Sequence, residues 1–331
     1  IGYIMSEKLI RSIAVMTSGG DSPGMNCAIR SVVRAAIGER LKVYGVKRGY
    51  QGLINNEIYE MNASSVGSIL HHGGTILYTS RCPEFKEKET RAKAAQILED
   101  RGIDALVVIG GDGSFKGAKA LHDEFGISVI GIPGTIDNDI SGTDYTIGFD
   151  TAVQTAMEAV DKIRDTATSS DRTFLIEVMG ARSSSIALKV GICSGAENIL
   201  LNTEKVDYQK LSSDVRRGIR RGKNSSIIIV AEGESPGRSY QIAKVLEEKH
   251  EISSKVCVLG HIQRGGSPTP DDRFFASVMG KEAVGALLQN LECHAVVVRD
   301  AKVHVVSLGE CMQKSDHAMI NYLGVSETLS I

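Results

Sequence analysis

Tryptophan is absent from the 331 residues of the chain, and aromatic residues make up only 5% of them. Proteins that bind single-stranded nucleic acid stack the bases on aromatic side chains, so this scarcity argues against that class. The 38 lysines and arginines nearly balance the 40 aspartates and glutamates, which predicts no extended polycationic surface. No apolar run approaches the roughly 20 residues that a membrane-spanning helix requires. We therefore expect neither a nucleic-acid partner nor a membrane partner.

Cysteine is also scarce, and its spacing is not that of a metal site. The six cysteines, at positions 27, 82, 193, 257, 293 and 311, include no Cys-x-x-Cys pair and no metal-like spacing with histidine. The first ten residues carry charge too early, and have too short an apolar stretch, for a secretory signal peptide. Reduced thiols are typical of a reducing compartment, so we expect a cytoplasmic protein.

Glycine, by contrast, is abundant. The chain has 35 glycines, and four doublets stand out: Gly19-Gly20, Gly73-Gly74, Gly110-Gly111 and Gly265-Gly266. Glycine in such positions allows a tight turn or a close approach of the backbone to a ligand. Hydrophobic residues make up 42% of the chain, which is enough for a large core in roughly two domains.

Short apolar runs alternate with helical patterns along the chain. Runs such as ALVVI and SIIIV are continuous and branched, as in strands that are buried on both faces of a parallel sheet. The alternation predicts a doubly wound α/β fold, with more strands than one compact sheet would hold and hence two lobes. The predicted strands cover residues 12–16, 42–46, 105–109, 128–132, 173–178, 199–201, 226–230, 255–259 and 295–298. The predicted helices cover residues 25–37, 90–101, 115–125, 151–164, 208–220, 240–249 and 272–288.

Polar segments follow three of the predicted strands. They read TSGGDSPGMN, GDGS and PGTIDNDI. Ligands of open α/β sheets bind beyond the carboxyl ends of the strands, where glycine-rich loops and helix starts offer N–H groups to phosphate. Asp112 in GDGS would hold Mg²⁺ beside such a phosphate. An ordinary strand-to-helix turn is the alternative for one GGDG loop, but two GGD loops at strand ends favour a phosphate site.

The segment PGTIDND carries polar residues at alternate positions. If it is extended, Thr135, Asp137 and Asp139 point to one side. Two carboxylates near a metal provide a base for a hydroxyl proton and an electrostatic partner. The alternative is an Asx-rich helix cap.

Cationic residues that would bind an anionic substrate lie elsewhere in the chain. Arg264, in HIQRGGSP, lies in a glycine-flanked loop that suits bidentate phosphate binding, and His261 precedes it. Arg81 and Arg172 are further candidates, although each taken singly is typical of a solvated surface. Glu232 ends the strand SIIIVA, where its carboxylate would accept hydrogen bonds from sugar hydroxyls.

Together and in this order, these motifs resemble the bacterial-type ATP-dependent 6-phosphofructokinases. The resemblance covers roughly residues 11 to 290 and rests on TSGGDSPGMNCAIRSVVR, GGT, SRCPEF, DALVVIGGDGS, IPGTIDNDI, GTDYTIGFDTA, EVMG and LGHIQRGGSP. It implies two similar three-layer α/β/α lobes with mainly parallel sheets. Residues 8–148 and 263–305 would form the ATP-binding lobe, and residues 149–262 and 306–331 would form the lobe that binds fructose 6-phosphate in the cleft between them. The implied reaction is the committed step of glycolysis: Mg-ATP phosphorylates the 1-hydroxyl of D-fructose 6-phosphate, giving fructose 1,6-bisphosphate and ADP.

The resemblance also implies roles for individual residues. Asp137 would be the base, with Thr135, Asp139 and Arg81 beside the transferring phosphoryl group. The nucleotide site would contain Gly20, Arg81, Cys82, Gly111, Asp112, Gly113, Ser114 and Gly117, with Asp112 holding Mg²⁺. The sugar phosphate would contact Thr135, Asp137, Arg172, Met179, Gly180, Ala181, Glu232, Lys255, His261 and Arg264. Arg172 would come from a neighbouring subunit, so the enzyme would be at least a homodimer and usually a homotetramer.

Two departures from the family pattern concern the sugar phosphate. Ala181 stands where the family has an arginine, and Arg182, one place along, would point elsewhere. Lys255 replaces an arginine that crosses the subunit interface, and lysine lacks the bidentate fork. Both changes predict weaker binding of fructose 6-phosphate, and they keep a catalytically impaired regulatory paralogue as an alternative.

The resemblance further implies an effector site for ADP or phosphoenolpyruvate between subunits. Arg30 and Arg34 form a like-charged i,i+4 pair, unfavourable by roughly 0.2–0.5 kcal/mol unless an anion sits between them. A solvated helix face is the alternative. Ala63 and Asn224 stand where the family has cations, which predicts weak or altered effector binding. The implied effector residues are Arg30, Arg34, Arg164, Glu197, Arg221 and Lys223.

Two glycines bear on the phosphoryl donor. The pyrophosphate-using branch of the family carries aspartate at the position of Gly113 and lysine at that of Gly134. Glycine at both positions resembles the ATP-using branch, and a pyrophosphate-dependent phosphofructokinase is the alternative. An NAD- or lipid-type kinase would share GGDG but would not account for PGTIDND together with HIQRGGSP.

Overall fold

The structure is a computed structural model that describes residues 9–313 and 322–329. The strands are β1 (Ser12–Ser18), β2 (Lys42–Val46), β3 (Ile58–Met61), β4 (Ala105–Gly110), β5 (Ser128–Pro133), β6 (Thr173–Val178), β7 (Asn198–Leu200), β8 (Ser226–Ala231), β9 (Ser254–Val258), β10 (Cys293–Arg299) and β11 (Lys302–Ser307). The helices are α1 (Met25–Gly38), α2 (Gly49–Ile54), α3 (Lys88–Asp100), α4 (Asp112–Phe125), α5 (Phe149–Ser170), α6 (Ser185–Cys193), α7 (Tyr208–Arg220), α8 (Arg238–His250), α9 (Pro270–Leu288) and α10 (Leu323–Leu329).

The described residues form two compact units. The first contains residues 9–135, 140–148 and 267–313, and the second contains residues 136–139, 149–266 and 322–329. This division differs from the predicted lobes in three places. Residues 306–313 lie in the first unit, since β11 pairs with β10 there, whereas residues 136–139 and 263–266 lie in the second unit rather than the first. Which unit binds which substrate stays a prediction.

The first unit is built on a seven-stranded sheet in the order β11-β10-β5-β4-β1-β2-β3. Its inner pairs are parallel, and only the edge strands β3 and β11 run antiparallel to their neighbours. Along β1, Ile13 and Val15 enter one hydrophobic core while Ala14 and Met16 enter the other. A stretch of strand with hydrophobic cores on both faces is apolar at successive positions, which explains the continuous apolar run at residues 13–16.

The second unit has a four-stranded, wholly parallel sheet in the order β7-β8-β6-β9. Along β8, Ile227 and Ile229 face one core while Ile228 and Val230 face the other. The predicted α/β fold with mainly parallel sheets is therefore confirmed. None of the helices within residues 9–313 and 322–329 is long and apolar enough to cross a membrane.

Candidate active site

Two glycine-rich loops meet at one edge of the first sheet. β1 and β4 are neighbours, and Ser18 at the end of β1 lies opposite Gly110 at the end of β4. The Ser114 hydroxyl donates a hydrogen bond to the Ser18 carbonyl oxygen at 3.0 Å. A Cβ at Gly110 would lie 2.5 Å from that carbonyl oxygen and 2.5 Å from Ser114 Oγ, so only glycine fits this position. The structure thus brings the predicted loops together.

Asp112 is the first residue of α4. Its half-exposed carboxylate pairs with Lys116 Nζ one turn along, at 2.5 Å. The first N–H groups of a helix have no intrahelical partner, and its positive end favours anions. Among the described residues, no three or more His, Cys, Asp or Glu side chains are grouped to hold a metal. A Mg²⁺ ion on Asp112 would therefore take its remaining ligands from phosphate oxygens and water, which is how Mg²⁺ is usually bound with nucleotides.

Tyr50, which the sequence analysis missed, supports this helix start. The buried Tyr50 hydroxyl on α2 donates to the Ser114 carbonyl oxygen at 2.6 Å, and its ring stacks on Phe85 with centroids 4.0 Å apart. A Cβ at Gly117 would lie 2.8 Å from the Tyr50 ring, so Gly117 allows the ring to approach α4. Burial raises the pKa of Tyr50, so the phenol stays a neutral donor. A glycine inside a helix was the one available signal of this close approach.

The PGTIDND segment leaves β5 beside the glycine loops. Thr135 is buried, and a Cβ at Gly111 would be 3.7 Å from Thr135 Cβ, an ordinary van der Waals contact. The Thr135 carbonyl oxygen accepts a hydrogen bond from the Thr146 hydroxyl at 2.7 Å. The structure therefore places Thr135 next to the predicted nucleotide loop.

The expectation that this segment is extended is wrong beyond Thr135. Residues 136 and 137 form a turn, and Asn138 has a left-handed φ of 48°. Asparagine tolerates this conformation because its short side chain bonds locally. The alternation of side chains on one face is therefore interrupted: the half-buried Asp137 lies in the turn, and the half-buried Asp139 follows it.

In the second unit, the chain leaving β6 is held from both neighbouring strands. On the β8 side, Glu232 Oε1 accepts hydrogen bonds from the N–H groups of Gly180 at 3.2 Å and Ala181 at 3.0 Å. On the β9 side, Gln263 Oε1 accepts the Met179 N–H at 2.8 Å. Three consecutive amides of the predicted sugar-binding segment are thus fixed by side chains. Gln263, fully buried, was missed because no local pattern reveals a bond to the distant Met179.

The remaining predicted substrate residues fall into two groups. His261 is exposed and Arg264 is half-buried, both on the short 3-10 turn Gly260–Arg264 that follows β9. Arg172 precedes β6, and Lys255 lies opposite Phe174 at the start of β9. Both are exposed at the amino ends of strands, and β6 spans roughly 20 Å from there to Met179. The structure does not bring Arg172 and Lys255 together with their own chain's Met179–Ala181 segment.

Cys82 and Arg81 lie where an irregular segment approaches α3. Arg81 is exposed, and Cys82 is half-buried against the hydrophobic core that contains Ala14 and Met16 of β1. Burial raises the pKa of the Cys82 thiol, so it remains protonated at neutral pH. Gly20 and Gly113 are exposed and complete the predicted nucleotide set.

The predicted effector residues are distributed over both units. Arg30 and Arg34 lie on α1 of the first unit, and Arg221 is exposed after α7 in the second. The Arg164 guanidinium donates to the Ser194 carbonyl oxygen at 2.7 Å. Glu197 accepts the Ile227 N–H at 2.7 Å and pairs with Lys223 at 3.4 Å. These charges are partly engaged inside the second unit.

The chain is similar to known proteins over most of its length. The family model described as Phosphofructokinase matches residues 12–287. The chain is 52% identical over 294 residues to a protein of Bacillus thuringiensis (strain Al Hakam) named ATP-dependent 6-phosphofructokinase, covering 89% of this chain and 91% of that protein.

Solved structures have the same fold. Phosphofructokinase from Saccharomyces cerevisiae matches 96% of this chain at 33% identity with a TM-score of 0.85, and the chain spans 46% of that yeast chain, about half its length. A pyrophosphate-dependent phosphofructokinase from Marinobacter aquaeolei matches 96% of this chain, and 88% of its own, with a TM-score of 0.84. Because this identity is only 21%, the similarity to the Marinobacter aquaeolei protein shows a shared fold alone.

Proposed function

The chain belongs to the phosphofructokinase family, and on that basis we propose that it is an ATP-dependent 6-phosphofructokinase. It transfers the terminal phosphoryl group of ATP, with Mg²⁺, to the 1-hydroxyl of D-fructose 6-phosphate in glycolysis. The products are fructose 1,6-bisphosphate and ADP. Phosphoryl transfer depends mainly on positioning and charge neutralisation, so a short set of side chains suffices.

The start of α4 is the observation that carries this proposal. Asp112 opens a helix directly behind two glycine loops, and within the described residues no protein cage accompanies its carboxylate. This arrangement suits a metal that arrives with its phosphates, so Asp112 holds the Mg²⁺ of Mg-ATP. The residues that bind the nucleotide are Gly20, Arg81, Cys82, Gly111, Asp112, Gly113, Ser114 and Gly117.

The second unit supplies the sugar-phosphate contacts. Arg264 and His261 bind the 6-phosphate, and the carboxylate of Glu232 accepts from sugar hydroxyls. Its Oε1 is already committed to two amides, which leaves Oε2 for the sugar. Asp137 accepts the proton of the 1-hydroxyl as that oxygen attacks.

The exposed cations at the amino ends of β6 and β9 support an oligomer. Arg172 and Lys255 lie about a strand length from their own chain's Met179–Ala181 segment, so they serve the site of a neighbouring copy. The protein is accordingly a homo-oligomer, a tetramer by family resemblance. Because lysine lacks the bidentate guanidinium of arginine, Lys255 binds the sugar phosphate of the neighbouring copy more weakly than an arginine would.

The effector proposal rests on anion-binding cations on α1 and in the second unit. Arg30 and Arg34 repel each other in the absence of an anion, so ADP or phosphoenolpyruvate would relieve that repulsion. Titrating each ligand at subsaturating fructose 6-phosphate tests this, and a flat response to both would refute it.

A coupled assay tests the reaction itself. Purified protein is given fructose 6-phosphate, Mg²⁺ and either ATP or pyrophosphate, and the fructose 1,6-bisphosphate formed is measured. We expect turnover with ATP that stops when EDTA removes the metal. Greater turnover with pyrophosphate, or none with either donor, would defeat the proposal.

A further inference from the structure

The irregular segment that leads to Arg81 is held by side chains of the first strand and helix. We call residues 70–78 the strap, since they contain neither helix nor strand. Asn26, in the first turn of α1, donates from Nδ2 to the carbonyl oxygens of His72 at 3.1 Å and Gly73 at 3.3 Å. Its Oδ1 accepts the Ile76 N–H at 2.8 Å. One side chain thus engages three main-chain groups of the strap.

Thr17, at the end of β1, fixes the other end of the strap. Its Oγ1 lies 2.9 Å from the Tyr78 carbonyl oxygen and 3.0 Å from Thr75 Oγ1. A hydroxyl has one hydrogen, so Thr17 donates to Tyr78 and accepts from Thr75. The Leu77 N–H in turn donates to Thr75 Oγ1 at 3.2 Å. The Thr17 and Thr75 hydroxyls together hold the strap at Tyr78, which is three residues before Arg81.

Asn26 is 1% exposed, so its amide bonds only within the protein. It lies two residues after the TSGGDSPG loop, which contributes Gly20 to the proposed nucleotide site. Asn26 therefore connects the strap, through its side-chain hydrogen bonds, to the start of the helix that follows the glycine loop. The Gly73-Gly74 doublet, which no nucleotide or sugar contact explains, lies within the reach of this anchor.

We propose that Asn26 is a positioning residue: by fixing the strap it places the Arg81 guanidinium for phosphoryl transfer. This inference rests on the proposed function, in which Arg81 binds the nucleotide, and on the family resemblance, which implies that Arg81 lies beside the transferring phosphoryl group. Asn26 itself touches neither nucleotide nor sugar. Its effect on turnover accordingly passes through Arg81.

Asn26→Asp is the variant of choice. Aspartate has the same shape and still accepts the Ile76 N–H, but an oxygen replaces the donor that faces the two carbonyl oxygens of His72 and Gly73. The carbonyl oxygens of His72 and Gly73 would then be repelled by the carboxylate, and the strap would detach from α1. An acidic residue in the first turn suits the helix dipole, so α1 itself is not weakened. Asn26→Ala, which removes all three bonds, is the second variant if the aspartate does not fold.

The test is a double-mutant cycle with Arg81→Ala. We expect Asn26→Asp to lower kcat at least tenfold when Arg81 is present, and less than twofold in the Arg81→Ala background. Hydrogen exchange of peptides covering residues 70–81 is expected to rise in Asn26→Asp. Ser12→Ala is the matched control, because Ser12 is also buried and bonded, to Gly102 and Asp104, but lies at the opposite end of β1.

The outcomes separate the two proposals. Additive effects of Asn26→Asp and Arg81→Ala, an unchanged kcat, or an equal loss in Ser12→Ala would each overturn the role of Asn26. If the parent protein itself does not phosphorylate fructose 6-phosphate, the proposed function fails instead. In that case hydrogen exchange still decides whether Asn26 holds the strap.

Discussion

Glu232, which follows the neighbouring strand β8, fixes Ala181: its Oε1 accepts the Ala181 N–H at 3.0 Å, while Ala181 itself adopts a left-handed φ of 49°. The hydrogen bond to Glu232 thus fixes the backbone that carries the exposed side chain of Ala181. A longer side chain at this position starts from a defined point rather than from a mobile loop. Left-handed φ costs arginine about as much as it costs alanine, because neither side chain makes the local hydrogen bond that eases this conformation for asparagine.

Ala181→Arg is expected to strengthen substrate binding. The family resemblance implies an arginine here, and a guanidinium adds charge-assisted hydrogen bonds to a phosphate. We expect KM for fructose 6-phosphate to fall about tenfold, with KM for ATP unchanged, in steady-state kinetics. Ala181→Gln is the control for side-chain length without charge. An unchanged KM in the arginine variant would show that Ala181 does not face the sugar phosphate.

Asp137→Ser tests the proposed base. Loss of a general base typically lowers turnover 10²- to 10⁴-fold, on the order of the fall we expect in kcat. KM for fructose 6-phosphate should stay within about threefold, since binding depends on other residues. Asp161→Ser, on the exposed face of α5, is the control and should behave as the parent. Near-parental turnover in Asp137→Ser would remove the assigned base.

Asp112→Asn tests the metal ligand. The amide is a poorer Mg²⁺ ligand than the carboxylate, so we expect the half-saturating free Mg²⁺ to rise at least fivefold and kcat to fall about tenfold. Asp123→Asn is a matched control, because Asp123 pairs with Lys119 at 2.7 Å on the same helix. Titration of free Mg²⁺ at fixed ATP separates the two. Equal Mg²⁺ dependence in both variants would contradict the assignment.

Cysteine labelling gives a prediction with a defined pH dependence. Burial raises the pKa of Cys27 and of Cys311 from 9.0 to about 11. The thiolate is the reactive form, and at pH 8 only about 0.1% of each of these two thiols is thiolate, so both react slowly with iodoacetamide. The exposed Cys193 is expected to react first, and the buried pair to gain reactivity about tenfold per pH unit up to pH 11. Peptide mass spectrometry measures this order, and unfolded protein, in which all six react, is the control.

The same shifts bear on stability at alkaline pH. The folded pKa is above the unfolded one, so the folded state retains protons that the unfolded state releases. The contribution of these two thiols to the free energy of unfolding is therefore fully present below pH 9, and it decreases as the pH rises from 9 to about 11. A melting temperature that rose over this interval would contradict the assigned environment of Cys27 and Cys311.

Sequence patterns were sufficient to predict strands and helices wherever burial produces a recognisable pattern of apolar residues. β4 and β8 were predicted closely because both faces are covered, so nearly every residue is apolar. The edge strands β3 and β11 were missed, because an edge strand is short or only partly buried and its pattern resembles a loop. The helix α6 was missed because SIALKVGIC is apolar on nearly all sides and lacks a helical stripe.

The site was predictable only where a motif is continuous in the chain. GGDG and HIQRGGSP could be found by inspection. Tyr50 and Gln263 could not, since their partners are main-chain groups 64 and 84 residues away. The bend at Asn138 was also unforeseen, because Asx residues suit both an extended segment and a turn.

The final prediction concerns the choice of phosphoryl donor. No atom lies within 4 Å of a Cβ at Gly113, whereas a Cβ at Gly134 would lie 3.0 Å from Ile109 Cγ2 and 3.2 Å from Met25 Cε. Gly113→Asp should therefore fold normally, and its carboxylate should repel the nucleotide phosphates and lower kcat/KM for ATP at least tenfold. Gly134→Lys should lose about 1–3 kcal/mol of stability, because overpacking displaces Ile109.

Assays with ATP and with pyrophosphate, together with thermal melts, distinguish these two effects. Gly285→Asp, at another helical glycine with open space, is the control for the added charge. If Gly113→Asp keeps the parental kcat/KM for ATP, the nucleotide phosphates do not approach the start of α4. The ATP preference must then come from elsewhere, since an open position that tolerates aspartate without effect cannot discriminate between donors.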